Sequence, residues 1–135
     1  MPLHYERDDT RRRILIVARA PVTLEETIAV INRQGAEGAW SYAMLYDARG
    51  SVNVPTAEDL HRLVQHVGTM TTKYGPRGRV ALVVLDPELL KMGHRYARLG
   101  DLTSLAVGLF LTVEDAQSWL AEPHLPGGFG LSPVC

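Results

Sequence analysis

Cysteine is nearly missing from this sequence: Cys135 is the only one in 135 residues. One thiol forms neither an internal disulfide nor a multi-thiolate zinc site, so cysteine usage carries no redox inference. Net charge is also missing. Fourteen Lys and Arg stand against fifteen Asp and Glu, a formal −1, and without a basic excess nucleic acid is not an expected partner. The longest apolar runs, Ile14 to Ala18 and Val80 to Leu85, fall far short of the ~20 residues that cross a bilayer. Stable membrane insertion is therefore not expected. The first residues do not read as a signal peptide and the last four do not form a prenylation box, which leaves a cytoplasmic location as the expectation.

Reactive motifs are equally scarce. Gly50-Ser51-Val52 is not the Gly-x-Ser-x-Gly elbow of a serine hydrolase. Gly75-Pro76-Arg77-Gly78-Arg79 has glycines and positive charge but lacks the lysine-hydroxyl ending of a phosphate loop, and reads as a helix stop and turn, with contact to an anionic partner as the alternative. His61 and His66 are five apart and diverge around a helix, while His4, His94 and His124 are isolated, so no metal site is expected.

What is present is patterning. With 46% hydrophobic residues, the chain is long enough for one domain that hides roughly two thirds of its unfolded surface. Leu3 to Arg7 and Arg11 to Ala18 flank a polar turn and read as an antiparallel hairpin. The unbroken Ile14-Leu15-Ile16-Val17 suggests cover on both faces of the second strand. Thr23 with Glu26 opens a helix carrying Leu24, Ile28 and Ile31 on one face, with Gly35 as its stop. The module recurs. Ser41 to Ala48 is strand-like, and Thr56 with Asp59 caps a helix striped by Leu60, Leu63, Val64 and Val67. Arg79 to Leu85 reads as a fully buried strand, Asp86-Pro87 starts a third helix to about Leu99, Leu105 to Leu111 is a last strand, and Thr112 with Asp115 caps a short helix. The order is β-β-α-β-α-β-α-β-α, an α/β domain with a mixed, mainly parallel sheet of about five strands and about four helices. It spans residues 1–122, and 123–135 reads as a Pro/Gly-rich tail.

That order, with "SYAMLYDARG" at Ser41 to Gly50, "RVALVVLDPELLKMGHRYARL" at Arg79 to Leu99 and "LFLTVEDAQSWL" at Leu109 to Leu120, resembles the SpoIIAA-like proteins of the STAS superfamily over about residues 3 to 120. The resemblance implies a bacterial, non-enzymatic regulatory or ligand-binding domain. The group is similar in fold to CRAL-TRIO lipid carriers, which implies an apolar ligand as the alternative. In STAS-type anti-sigma-factor antagonists, a strand ending in aspartate leads to a helix start bearing a phosphorylatable serine in an Asp-Ser-Ser-Gly-like motif. Asp47 matches the strand-end acid. The serine pair and glycine have no counterpart, because the next helix opens Thr56-Ala57-Glu58-Asp59 after residues 50–55.

Thr56 is thus either a phosphoacceptor at a helix start or a plain N-cap worth ~1 kcal/mol, and the cap accounts for it. Glu58 and Asp59 would repel a phosphate there. Ser51 is a second candidate acceptor. Asp47 and Arg49 lie where ligands meet an open parallel sheet, outside the strands' carboxyl ends, and are read as a polar mouth or as a solvated pair; Asp86, on the same rim, is read as a helix cap or, with Asp47, as one of two paired carboxylates. In the third helix, Leu89, Met92, Gly93 and Tyr96 share a face. That face packs on the sheet or lines an apolar pocket between the helix, Trp40 or Tyr46 and the sheet edge. His94, Arg95 and Arg98 fall on its polar side, open to an acidic headgroup or protein. The leading expectation is a non-catalytic module that recognises a protein through Asp47, Arg49, Ser51 and Thr56. The alternative is a carrier or sensor of an apolar small molecule or lipid at Met92, Gly93 and Tyr96. No catalytic residue, cofactor or metal is assigned, and a homodimer is compatible with either reading.

Overall fold

The computed structural model describes residues 3–19, 22–50, 55–100 and 106–122. The chain begins with the expected hairpin, β1 (Leu3–Asp8) against β2 (Arg13–Ala18), antiparallel from Leu3↔Ala18 to Asp8↔Arg13. Arg11 and Arg12 belong to the turn rather than the strand. The Asp8 carboxylate accepts the Arg11 N–H at 3.1 Å, and Arg12 sits at φ 54°; this local side-chain bond competes with continued pairing.

Helix α1 (Leu24–Ala36) starts at the expected capping box, with the Glu26 N–H donating to Thr23 Oγ1 and the Thr23 N–H to Glu26 Oε1. Gly35 does not stop it. Gly35 lies buried inside the last turn against Met70 and Tyr74, and the left-handed residue after the helix is Gly38 at φ 74°. Strand β3 (Ala43–Asp47) follows, then α2 (Ala57–Tyr74), capped reciprocally by Thr56 and Asp59. Strand β4 (Val80–Val83) leads into α3 (Pro87–Gly100), where Asp86 Oδ2 accepts the Leu89 N–H at 3.0 Å. Strand β5 (Val107–Phe110) and α4 (Val113–Ala121) complete the described chain, with Thr112 accepting from Asp115 N–H.

The five strands lie in sequence order, β1-β2-β3-β4-β5, parallel from β2 onward. Three crossovers step the same way across the sheet, and a common handedness therefore sends α1, α2 and α3 to one face. The packing agrees. Ile31, Leu60, Val67, Met70 and Tyr96 share a core with Ile14, Ile16, Met44 and Val80. On the other face, among the described residues, α4 stands alone, Ala116 and Leu120 packing on Leu45, Ala81 and Val83.

This unequal cover corrects two expectations. Leu15 and Val17 are only half-buried, because α4 spreads over β3–β5 and leaves that side of β2 part-open. Val80 to Leu85 is not fully buried either: Leu85 is 55% exposed beyond the end of β4, and Leu82 is half-buried. The expected start of the last strand at Leu105, the acceptor candidate Ser51 and the expected tail 123–135 lie outside the described residues.

Candidate functional site

Leu82 is accessible because it faces a cavity. A space of about 510 Å³ lies between the sheet and the three-helix layer, within the ~300–1,000 Å³ of small-molecule sites. Met44, Tyr46, Val80 and Leu82 form its floor; Leu60 and Leu63 of α2 and Met92 and Tyr96 of α3 form its walls. It follows the strands. Val80 and Val84 both line it, four steps apart at ~3.3 Å each, a span of ~13 Å. At the carboxyl end of the sheet the lining turns polar, with Thr23, Glu25 and Asp59 from the first turns of α1 and α2 and their caps.

Gly93 sets how close α3 comes. A Cβ built there would stand 2.6 Å from Leu109 Cδ2, so the missing side chain lets the helix press onto β5 while Met92 and Tyr96 on either side reach the cavity. Tyr46, on the floor, stands near Thr27 of α1, and burial holds its hydroxyl above the ordinary tyrosine pKa.

The amino end of the cavity holds Arg77, from the loop between α2 and β4. That loop is clamped against the chain entering β3. The Gly78 N–H donates to the Trp40 carbonyl at 3.3 Å, and a Cβ on Gly78 would come within 2.4 Å of the Tyr42 carbonyl oxygen. The Arg77 guanidinium lies over the Trp40 ring, 5.0 Å from its centroid. One of its terminal nitrogens donates to Gln34 Oε1 at 3.3 Å and contacts Met44 Sδ at 3.6 Å, and the Tyr96 hydroxyl lies close enough to feel its charge. Gln34 is fully buried and its amide nitrogen donates to the carbonyls of Ala39 and Tyr42, which turns its oxygen to Arg77. The Nε of Arg77 is buried and has no partner. Burial lowers the arginine's pKa; burial raises that of Tyr96, against the pull of the neighbouring cation.

The expected site residues separate into two groups. Met92, Gly93 and Tyr96 line the cavity, and Thr56 caps the helix whose Asp59 lines its rim. The pocket lies beneath the middle of the helical layer, not at the sheet edge, and Tyr46 forms part of its floor whereas Trp40 sits beneath Arg77. Asp47 and Arg49 are elsewhere. Asp47 follows Leu45 by two residues and shares its face, the α4 side, where Arg49 also feels Glu114. Arg49 Nε and a terminal nitrogen grip the two Asp47 oxygens at 2.9 and 2.8 Å, holding that carboxyl below its ordinary pKa. They make no mouth for the cavity. Asp47 is closed by Arg49 and Asp86 by its cap, so the two are not free as paired carboxylates. His94, Arg95 and Arg98 are exposed, and His66 meets Asn32 at 2.7 Å.

Arg77 lies in the segment expected to be a turn or to touch an anionic partner, and the sequence gives no sign that it enters the cavity; its inward direction depends on the clamp to Trp40 and Tyr42, which no local pattern encodes. No protein-family model matches the chain, and no curated protein matches it. Among the described residues no helix is long and apolar enough to cross a membrane, and no group of His, Cys, Asp and Glu is placed to hold a metal.

Proposed function

We propose that this chain is a non-catalytic module that binds an apolar small molecule in the cavity beneath α1, α2 and α3, as a carrier or sensor. The cavity itself carries the reading. At about 510 Å³ it has the size of a small-molecule site. Its lining of aliphatic side chains, methionines and tyrosines suits an apolar one. The resemblance to SpoIIAA-like STAS proteins, a group similar in fold to CRAL-TRIO lipid carriers, supports the same reading. Recognition of a protein through Asp47, Arg49 and Thr56 is less well supported, since the ion pair and the capped helix occupy opposite faces of the sheet.

Native mass spectrometry of the full chain purified from cells tests the proposal. A discrete added mass released on unfolding is expected, and Met92→Trp, which narrows the cavity, should reduce it. Bare protein that also takes up none of decanoic acid, 1-decanol and decane would overturn the reading.

A further inference from the structure

Arg77 narrows the ligand, given the reading above that the cavity binds an apolar molecule. Placing an arginine in an apolar wall is costly unless an anion meets it. Asp47 on the opposite face has its counter-ion; Arg77 has none. Among the described residues its polar neighbours are the Gln34 amide oxygen, to which it donates, and the Tyr96 hydroxyl, both neutral, and its Nε has no partner. We propose that the cavity takes a single-chain apolar monocarboxylate, its carboxylate held inward by Arg77 and Tyr96 and its tail running along β3 and β4 toward the carboxyl edge of the sheet.

Three features favour this ligand and this orientation. The Tyr96 hydroxyl beside the guanidinium carries a proton that it can donate to an incoming oxygen. A guanidinium offers the paired N–H geometry that a carboxylate accepts at both oxygens, and because the Arg77 Nε is enclosed, its terminal nitrogens would make that contact. Charge then fixes sign and size. Arg77 is the sole Lys or Arg among the described lining residues, whereas Glu25 and Asp59 make the far end acidic. An anionic head would be repelled at that rim and drawn to the amino end. One positive charge balances a carboxylate, while a phosphate monoester at about −1.5 to −2 exceeds it.

Isothermal titration of the full chain with decanoate, 1-decanol and decyl phosphate tests the assignment. Decanoate is expected to bind about 10- to 100-fold more tightly than 1-decanol, the scale of one or two charge-assisted hydrogen bonds. Arg77→Met should abolish that preference while leaving 1-decanol bound, and Arg77→Lys should keep part of it. Independently of any variant's folding, carboxyl-13C decanoate bound to the unmodified chain should titrate below free decanoate. Equal affinity for acid and alcohol, or an acid preference unchanged in Arg77→Met, overturns the arginine anchor and leaves the apolar site standing. Tighter binding of decyl phosphate overturns the carboxylate class. If none of the three binds, the apolar reading of the cavity fails with it.

Discussion

Asp47 and Arg77 are charged side chains drawn into the same small fold, and each meets burial differently. Asp47, 8% exposed, is gripped at both oxygens by its near neighbour Arg49, whose own head stays in partial contact with water. The grip lowers the Asp47 pKa in the folded state. Its stabilisation is therefore complete above the unfolded value of ~3.9 and is lost as pH falls through the lower folded value. Asp47→Asn should lower stability at pH 7 by ~1–2 kcal/mol, less than a fully buried pair because Arg49 is half-exposed. Urea unfolding at pH 7 and at pH 3 checks this: the gap between the two proteins should narrow in acid, and a constant gap would remove the ion pair as its cause. The pair was legible in the sequence as an acid and an arginine two residues apart. Its face was not, because strand parity assigns a side only once the helices have chosen theirs.

Element boundaries followed local chemistry wherever a side chain closes its own helix. Thr23 with Glu26, Thr56 with Asp59, Asp86, and Thr112 with Asp115 all cap the helices they were expected to open, since a hydroxyl or carboxylate satisfies amides within three residues. Glycine was less legible. Gly35 looked like a stop and is a packing contact; Gly78 looked like part of a loose turn and is a backbone clamp. The two close approaches at Gly78 and Gly93 differ in kind. An added methyl at Gly93 meets the end of the Leu109 side chain, which can move, and gains up to ~1 kcal/mol of helix propensity. At Gly78 it meets the carbonyl oxygens of Ser41 and Tyr42, which cannot move without displacing the entry to β3. Gly78→Ala is thus expected to cost ~1–3 kcal/mol by overpacking and to weaken decanoate binding by shifting Arg77. Chemical denaturation and titration measure the two, and a neutral effect on both would show that the loop tolerates repositioning.

At the scale of the molecule, one sheet separates a thick layer from a thin one. Three helices and the cavity occupy one face, α4 and the Asp47–Arg49 pair the other. The two should act independently, as sites without shared partners do. Leu120→Ala, at the centre of the α4 contact, is expected to lower stability by ~2–4 kcal/mol while the folded protein keeps its affinity for decanoate. A parallel loss of affinity would reveal coupling through the sheet. The sequence alone determined the order of elements, the caps, the mixed α/β class and the helical stripe at Met92, Gly93 and Tyr96, because each depends on periodicity or on bonds between residues a few positions apart. Tertiary structure decided the rest: the sheet order that gathers three helices on one face, the void they leave, and the inward turn of Arg77. Those features arise where segments far apart in the chain meet, and their packing has no local pattern to announce it.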